Sequence, residues 1–238
     1  SARGIAVPAG SCATVGIAGV TLGGGVGFLS RLHGTTADNL REVRIVTADG
    51  KLRVCDETSN PDLFWACRGG GGGNFGIATR FTYSTHPIAG VATWIVNWPW
   101  SQARQVVAAW QAWAPHAPDA MFSVLNLSAS PGTTSITAVG QLVGTSAQAK
   151  AMIQPLANTG TPTRVGAIDR TYIDSVRMWA GCTSIEACHL EPAGSLERAS
   201  YKVKSDYARK PLTAAGIDTL VKAMEARAAI ATSGRAIV

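Results

Sequence analysis

Apolar and polar positions fall into two textures along the chain. Before about residue 88 the units are short and separated by glycine. The two runs of "REVRIVTADGKLRVCDE" are rich in β-formers and flank Asp49-Gly50, a strong short turn signal, so a β-hairpin is predicted. In "SNPDLFWACRGG", Asn60 stands as N-cap and Pro61 at the first helical position, with Asp62 in the first turn and Gly69 as the stop. A short capped helix is predicted there. "IATRFTYSTHP" alternates Ile77, Thr79, Phe81 and Tyr83 against Ala78, Arg80 and Thr82 up to Pro87, the two-residue period of a strand.

Beyond residue 88 the units lengthen and become amphipathic. "SQARQVVAAWQAWA" carries Val106, Trp110 and Trp113 on one helical face and ends before Pro115. "MFSVLNLSA" and "TSITAVGQLV" read as neighbouring strands joined through "SPGT", and "SAQAKAMIQPLA" as a helix whose end is marked by Pro155. A last helix, "AAGIDTLVKAMEARAAI", aligns Ile217, Leu220, Val221, Met224 and Ala228. "YKVKSDY" alternates as a strand would, placing Tyr201, Val203, Ser205 and Tyr207 on one face and Lys202, Lys204 and Asp206 on the other. Tyr201 and Tyr207 then face either a substrate cleft or ordinary sheet packing. The pattern predicts an α+β chain, with a glycine-rich first domain over 1–88 and a second domain over 89–238 whose antiparallel sheet carries helices on one face.

Composition narrows the function classes. The chain has 238 residues, 46% apolar and 15% charged, which suits an ordinary globular core rather than disorder. No apolar run reaches the ~20 residues that crossing a bilayer requires, so no membrane partner is expected. The formal charge of +6 is scattered without a basic stripe, which argues against nucleic acid. "SARGIAVPAG" lacks the charged start and long apolar stretch of a signal peptide, so either none is made or the sequence begins after the true start. Cysteines stand at 12, 55, 67, 182 and 188 with no C-x-x-C pair, and no metal site is expected. Cys182 and Cys188, with His189 beside them, suit a local disulfide better than a metal, and a bridge there favours export over the cytoplasm. His33, His86 and His116 read as isolated side chains.

Glycine marks the chemistry, because 16 of the 26 glycines fall within residues 1–76. "GGGNFG", residues 71–76, satisfies G-x-G-x-x-G. A helix precedes it and a strand follows, however, the reverse of the dinucleotide-binding order. What remains is backbone left bare at Gly69 to Gly73 and at Gly23, Gly24, Gly25 and Gly27. Either cluster alone is equally a tight strand crossing; two in one small domain point to a bound cofactor.

"PAGSCATVGIAGVTLGGGVGFLSRLHGTTADN", "VTADGKL", "NPDLFWACRGGGGGNFGIATRF" and, later, "KSDY" resemble, in order and spacing, the flavoproteins related to berberine bridge enzyme, which share the vanillyl-alcohol oxidase-type FAD-binding fold. The resemblance implies that 1–88 is the second half of such an FAD-binding domain and 89–238 the substrate domain. It places Cys12 on the cysteine that forms a thioether to carbon 6 of the flavin, one of two covalent links in bicovalent members; otherwise Cys12 is a small buried hydrophobe. Val15 matches the position beside the flavin's oxygen-reactive carbon, where valine resembles the oxidases; otherwise it is a β-branched strand residue. Thr14, Gly16, Gly19, Gly23, Gly24, Gly25, Gly27, Asn74, Gly76 and Ile77 match the cofactor lining. Val20 departs from berberine bridge enzyme itself, which has a histidine there. The family's preceding pyrophosphate loop with its flavin-linking histidine, and its closing segment with a Tyr or Glu base, are not recognisable, so the chain reads as the middle of a longer protein with its base beyond Val238.

The implied activity is an FAD-dependent oxidase working on an alcohol carbon of a sugar or secondary metabolite. A base takes the hydroxyl proton, hydride passes to flavin N5, and dioxygen reoxidises the flavin to give hydrogen peroxide. Two other readings stand beside it: a flavin dehydrogenase using another acceptor, and a non-catalytic part that holds no flavin.

Overall fold

The computed structural model describes residues 3–198 and 200–238. The first elements are β1 (Ile5–Ala6), α1 (Ile17–Leu22), α2 (Ser30–His33), β2 (Leu40–Val46), β3 (Leu52–Cys55) and α3 (Pro61–Ala66). There follow β4 (Ile77–Tyr83), β5 (His86–Pro87), β6 (Val91–Trp98), α4 (Ala103–Trp113), β7 (Met121–Ser130) and β8 (Thr133–Leu142). The last are α5 (Ser146–Ala157), β9 (Arg164–Arg170), α6 (Tyr172–Ala180), α7 (Ala214–Ala228) and β10 (Ala236–Ile237). The chain divides into two compact units, Ser1–Ala89 with Arg170–Ala199, and Gly90–Asp169 with Ser200–Val238. Residues 170–199, which the sequence pattern assigns to the second domain, therefore belong with the first unit.

In the first unit β3, β2 and β4 form an antiparallel sheet in that order, and β1 pairs with β5. Its core gathers Leu22, Leu40, Val43, Ile45, Cys55, Phe64 and Cys67. The hairpin forms around Asp49-Gly50, where Gly50 takes φ 75° and Asp49 accepts from the Thr47 hydroxyl and the Lys51 amide. Three details depart from expectation. Asn60 is not a side-chain cap: its backbone is left-handed and its amide donates to the Val54 carbonyl at 2.8 Å. The helix it precedes ends at Ala66, not at Gly69. In β4 the register against β2 shifts between Arg80 and Ala78, so Thr79 bulges and Ala78 packs on the core with Phe81 and Tyr83. Ile77 is left 74% exposed.

The second unit has one sheet in the order β10-β7-β8-β6-β9. One face buries Trp94, Val96, Met121, Leu127, Ile136 and Leu142, and α4, α5 and α7 lay Val106, Ile153, Val221 and Met224 on it. Each such side chain contributes roughly 1.5–3 kcal/mol of burial. Gly140 is required by this packing, since a β-carbon there would collide with the Trp94 ring and the Phe122 carbonyl. The Trp94 indole N–H reaches the Met121 sulfur at 3.0 Å. Pro155 lies inside α5 rather than at its end, two residues before the helix stops. "YKVKSDY" is not a strand: residues 200–208 are irregular and exposed.

Candidate functional site

Residues 12–19 are all solvent-exposed, and no charged side chain occurs between Gly4 and Ser30. That is a neutral, partly apolar surface, with Val15 53% and Ile17 47% exposed. It is held rigidly from below. Thr21, fully buried on the inner side of α1, donates to the Ile17 carbonyl at 2.6 Å and pairs with the Tyr83 hydroxyl at 2.7 Å. Burial pushes the Tyr83 phenol above its usual range, partly offset by Thr21. The two glycine clusters meet just past this helix, where the Gly71 amide donates to the Leu22 carbonyl at 2.7 Å. Asn74 steadies the second cluster by donating to the Gly70 carbonyl at 2.7 Å.

The glycines sort into two kinds. At Gly25, Gly27 and Gly76 a β-carbon would collide with Thr36, with the Ala9 carbonyl and with the Val46 carbonyl, so the fold itself requires them. At Gly23 it would only touch the Gly19 carbonyl, at 3.4 Å. At Gly16, Gly19, Gly24, Gly69, Gly72 and Gly73 it would meet nothing within 4 Å. Gly24, Gly69 and Gly73 take positive φ, which itself favours glycine, but Gly16, at φ −66°, Gly19 and Gly72 do not, so at these three neither packing nor conformation explains the lack of a side chain. A ligand lying on the backbone does explain it.

Cys12 is a free, exposed thiol at the start of this surface, which removes the reading as a small buried hydrophobe. Thr14 and Val15 lie in a turn closed by the Val15 amide on the Cys12 carbonyl, so Val15 is not a strand residue. The cluster Gly23–Gly27 follows a helix, and the backbone of Ala9 and Gly10 runs tightly against Gly27, so a close chain crossing accounts for that glycine. Val20 fills the space over Gly10 and Gly25, its methyl 3.7 Å and 3.1 Å from where their β-carbons would be. Phe75 and Ile77, 38% and 74% exposed, add apolar surface after the second cluster. An uncharged, partly apolar surface with bare backbone and a thiol suits a flat heteroaromatic ring carrying a polar chain, as FAD does.

Other predicted residues lie elsewhere. Tyr201 and Tyr207, 83% and 91% exposed, stand on irregular chain in the second unit, so the expectation that they share a strand face fails. Cys182 and Cys188 are bridged, with α-carbons 5.3 Å apart. Cys55 and Cys67 are buried, and burial raises both thiols. His33 and His86 are not isolated: their rings stack at 3.8 Å, and His86 Nε2 lies 2.6 Å from Asn39 Oδ1. Sequence reasoning also missed the Thr21–Tyr83 pair and the Phe28–Trp179 stack at 4.5 Å. All three are contacts between residues far apart in the chain, for which one sequence carries no signal.

A profile of the FAD binding domain family matches residues 1–56. An uncharacterized FAD-linked oxidoreductase of Bacillus subtilis, YgaK, is 34% identical over 226 residues, covering 93% of this chain and 48% of the relative. The structure of Physcomitrella patens BBE-like 1 superposes with a TM-score of 0.82 at 28% identity, over 94% of this chain and 48% of that one. The glucooligosaccharide oxidase of Acremonium strictum, described with a 6-S-cysteinyl, 8α-N1-histidyl FAD, gives a TM-score of 0.64 at 28% identity over 76% of this chain and 38% of its own. The chain thus spans less than half the length of these relatives. Over that span the chain is similar, in sequence and in fold, to the berberine bridge enzyme-like FAD-linked oxidoreductases, and its first part matches the FAD binding domain family.

Proposed function

We propose that this chain contributes the flavin-contacting surface and part of the substrate domain of an oxidase that converts an alcohol carbon of a sugar or secondary metabolite and releases hydrogen peroxide. The observation that carries the reading is the group of open glycines around α1 beside a free, exposed thiol. FAD bound there supplies two-electron acceptance. The chain's own residues do the rest. Gly16, Gly19, Gly24, Gly72 and Gly73 admit the cofactor against bare backbone, and Asn74 fixes the loop that carries two of them. Cys12 Sγ anchors the ring as a thioether, the linkage named for the glucooligosaccharide oxidase. Val15, short and β-branched, leaves dioxygen room to approach. The Cys182–Cys188 bridge supports an oxidising compartment.

The test is peroxide release by the purified protein under air across a panel of oligosaccharides and alcohols, repeated without oxygen and with an artificial electron acceptor. Stoichiometric peroxide is expected. Turnover that needs the artificial acceptor and yields no peroxide would make the protein a dehydrogenase instead.

A further inference from the structure

We propose that the second unit holds a binding site for a small amphipathic carboxylate, in a cavity that the oxidase reading does not use. The cavity, which opens to solvent, has a volume of about 740 Å³, within the roughly 300–1,000 Å³ of small-molecule sites. Leu125 and Leu127 of β7, Val107 and Trp110 of α4 and Leu220 of α7 line it. The Trp110 indole N–H already donates to Ser123 Oγ at 2.7 Å, so the ring offers the cavity only apolar surface.

The remaining wall is the irregular segment 208–212, and it is pinned rather than loose. Gln111 Nε2 donates to the Leu212 carbonyl at 3.0 Å, while the Leu212 amide donates to Gln111 Oε1 at 2.9 Å. That double hydrogen bond keeps Arg209 and Lys210 on the cavity's lining. Neither cation has an ion-pair partner among the described residues, and no Asp or Glu is among the described residues that line the cavity. A void with apolar walls and two unpaired cations complements a ligand with an apolar body and an anionic head. The body gains from leaving water, and the head gains a charge-assisted hydrogen bond.

Calorimetric titration of the purified protein with decanoate, decanol and decylammonium tests this. Decanoate should bind with a Kd of roughly micromolar order, and the other two at least about tenfold more weakly. The double variant Arg209→Gln/Lys210→Gln, changed only at exposed positions, should weaken decanoate about ten- to hundredfold and leave decanol alone. Leu220→Trp, which places a larger ring on the apolar wall and narrows the cavity, should weaken both. Equal binding of decanoate and decanol, no heat with decanoate, or full decanoate affinity in the double variant would overturn the proposal. So would a concentration-dependent dimer that Leu220→Trp dissolves, since the cavity would then belong to a second copy. None of these readouts depends on flavin, so failure here leaves the oxidase reading standing, and the reverse.

Discussion

What a β-carbon would meet separates a glycine kept for the fold from one kept for a ligand. Gly27→Ala and Gly76→Ala drive a methyl group into main-chain carbonyls that have no rotamer to yield, and each should cost roughly 1–3 kcal/mol of stability. Gly19→Ala sits in helix α1 with open space around it, so it should melt no lower and gain up to about 1 kcal/mol of helix propensity. It should nevertheless lose flavin, read as the ratio of visible to protein absorbance. Undiminished flavin in Gly19→Ala would remove that face from the site. The stacked histidines give a second residue-scale prediction. Burial, and then the charge of His86, hold His33 below its ordinary 6.5. Between that lowered value and 6.5 the unfolded chain takes the proton more readily, so stability falls as pH drops through this window. Melting temperature should decline on acidifying from neutrality, and His33→Phe, which keeps a stacked ring without a proton to gain, should flatten the decline. An unchanged slope in that variant would place the acid sensitivity elsewhere. Cys12 and the glycines could be singled out in the sequence because their residue types stand out there as candidates; the His33–His86 stack could not, because each histidine is unremarkable in its own neighbourhood.

Elements were legible where the signal is local. The hairpin about Asp49-Gly50, the paired strands β7 and β8, and helix α7 follow from turn chemistry and periodicity within a single run. Strand β6 gave no alternation to read, because six of its eight residues are buried and both faces of the strand are represented among them. The phase of β4 failed at the Thr79 bulge, a feature of its pairing with β2 that β4 alone cannot announce. "YKVKSDY" has the strand period but no partner strand among the described residues, and an alternating pattern without a ladder to join does not make a strand. Pro155 forfeits the amide hydrogen bond to the carbonyl four residues back, and the helix stops two residues later. At the other end of α5 a capping box does the positioning, with Thr145 Oγ1 accepting from the Gln148 amide at 3.3 Å and Gln148 Oε1 accepting from the Thr145 amide at 2.9 Å. Thr145→Ala should therefore lower unfolding stability by about 1 kcal/mol in a denaturant titration, with Thr145→Ser near wild type. Equal losses in both would mean that the methyl group, not the hydroxyl, matters.

At the scale of the whole molecule, the α+β class and the glycine-rich character of the first unit were readable from the sequence, and the return of residues 170–199 to the first unit was not. Composition marks where a texture changes but not where a chain comes back, and the contacts of α6 with the first unit, such as Trp179 on Phe28, join residues far apart in the chain. The consequence is that the Cys182–Cys188 bridge belongs to the first unit, along with Cys12 and the glycine surface. The central claim is that this surface carries FAD and that Cys12 holds it covalently. It is tested most directly by the visible absorption spectrum of the purified protein before and after acid precipitation, with Cys12→Ala alongside. The account predicts yellow colour that stays with the precipitated protein and that, if a second linkage persists in Cys12→Ala, changes its spectrum. A colourless protein, or colour that leaves with the supernatant, would contradict it.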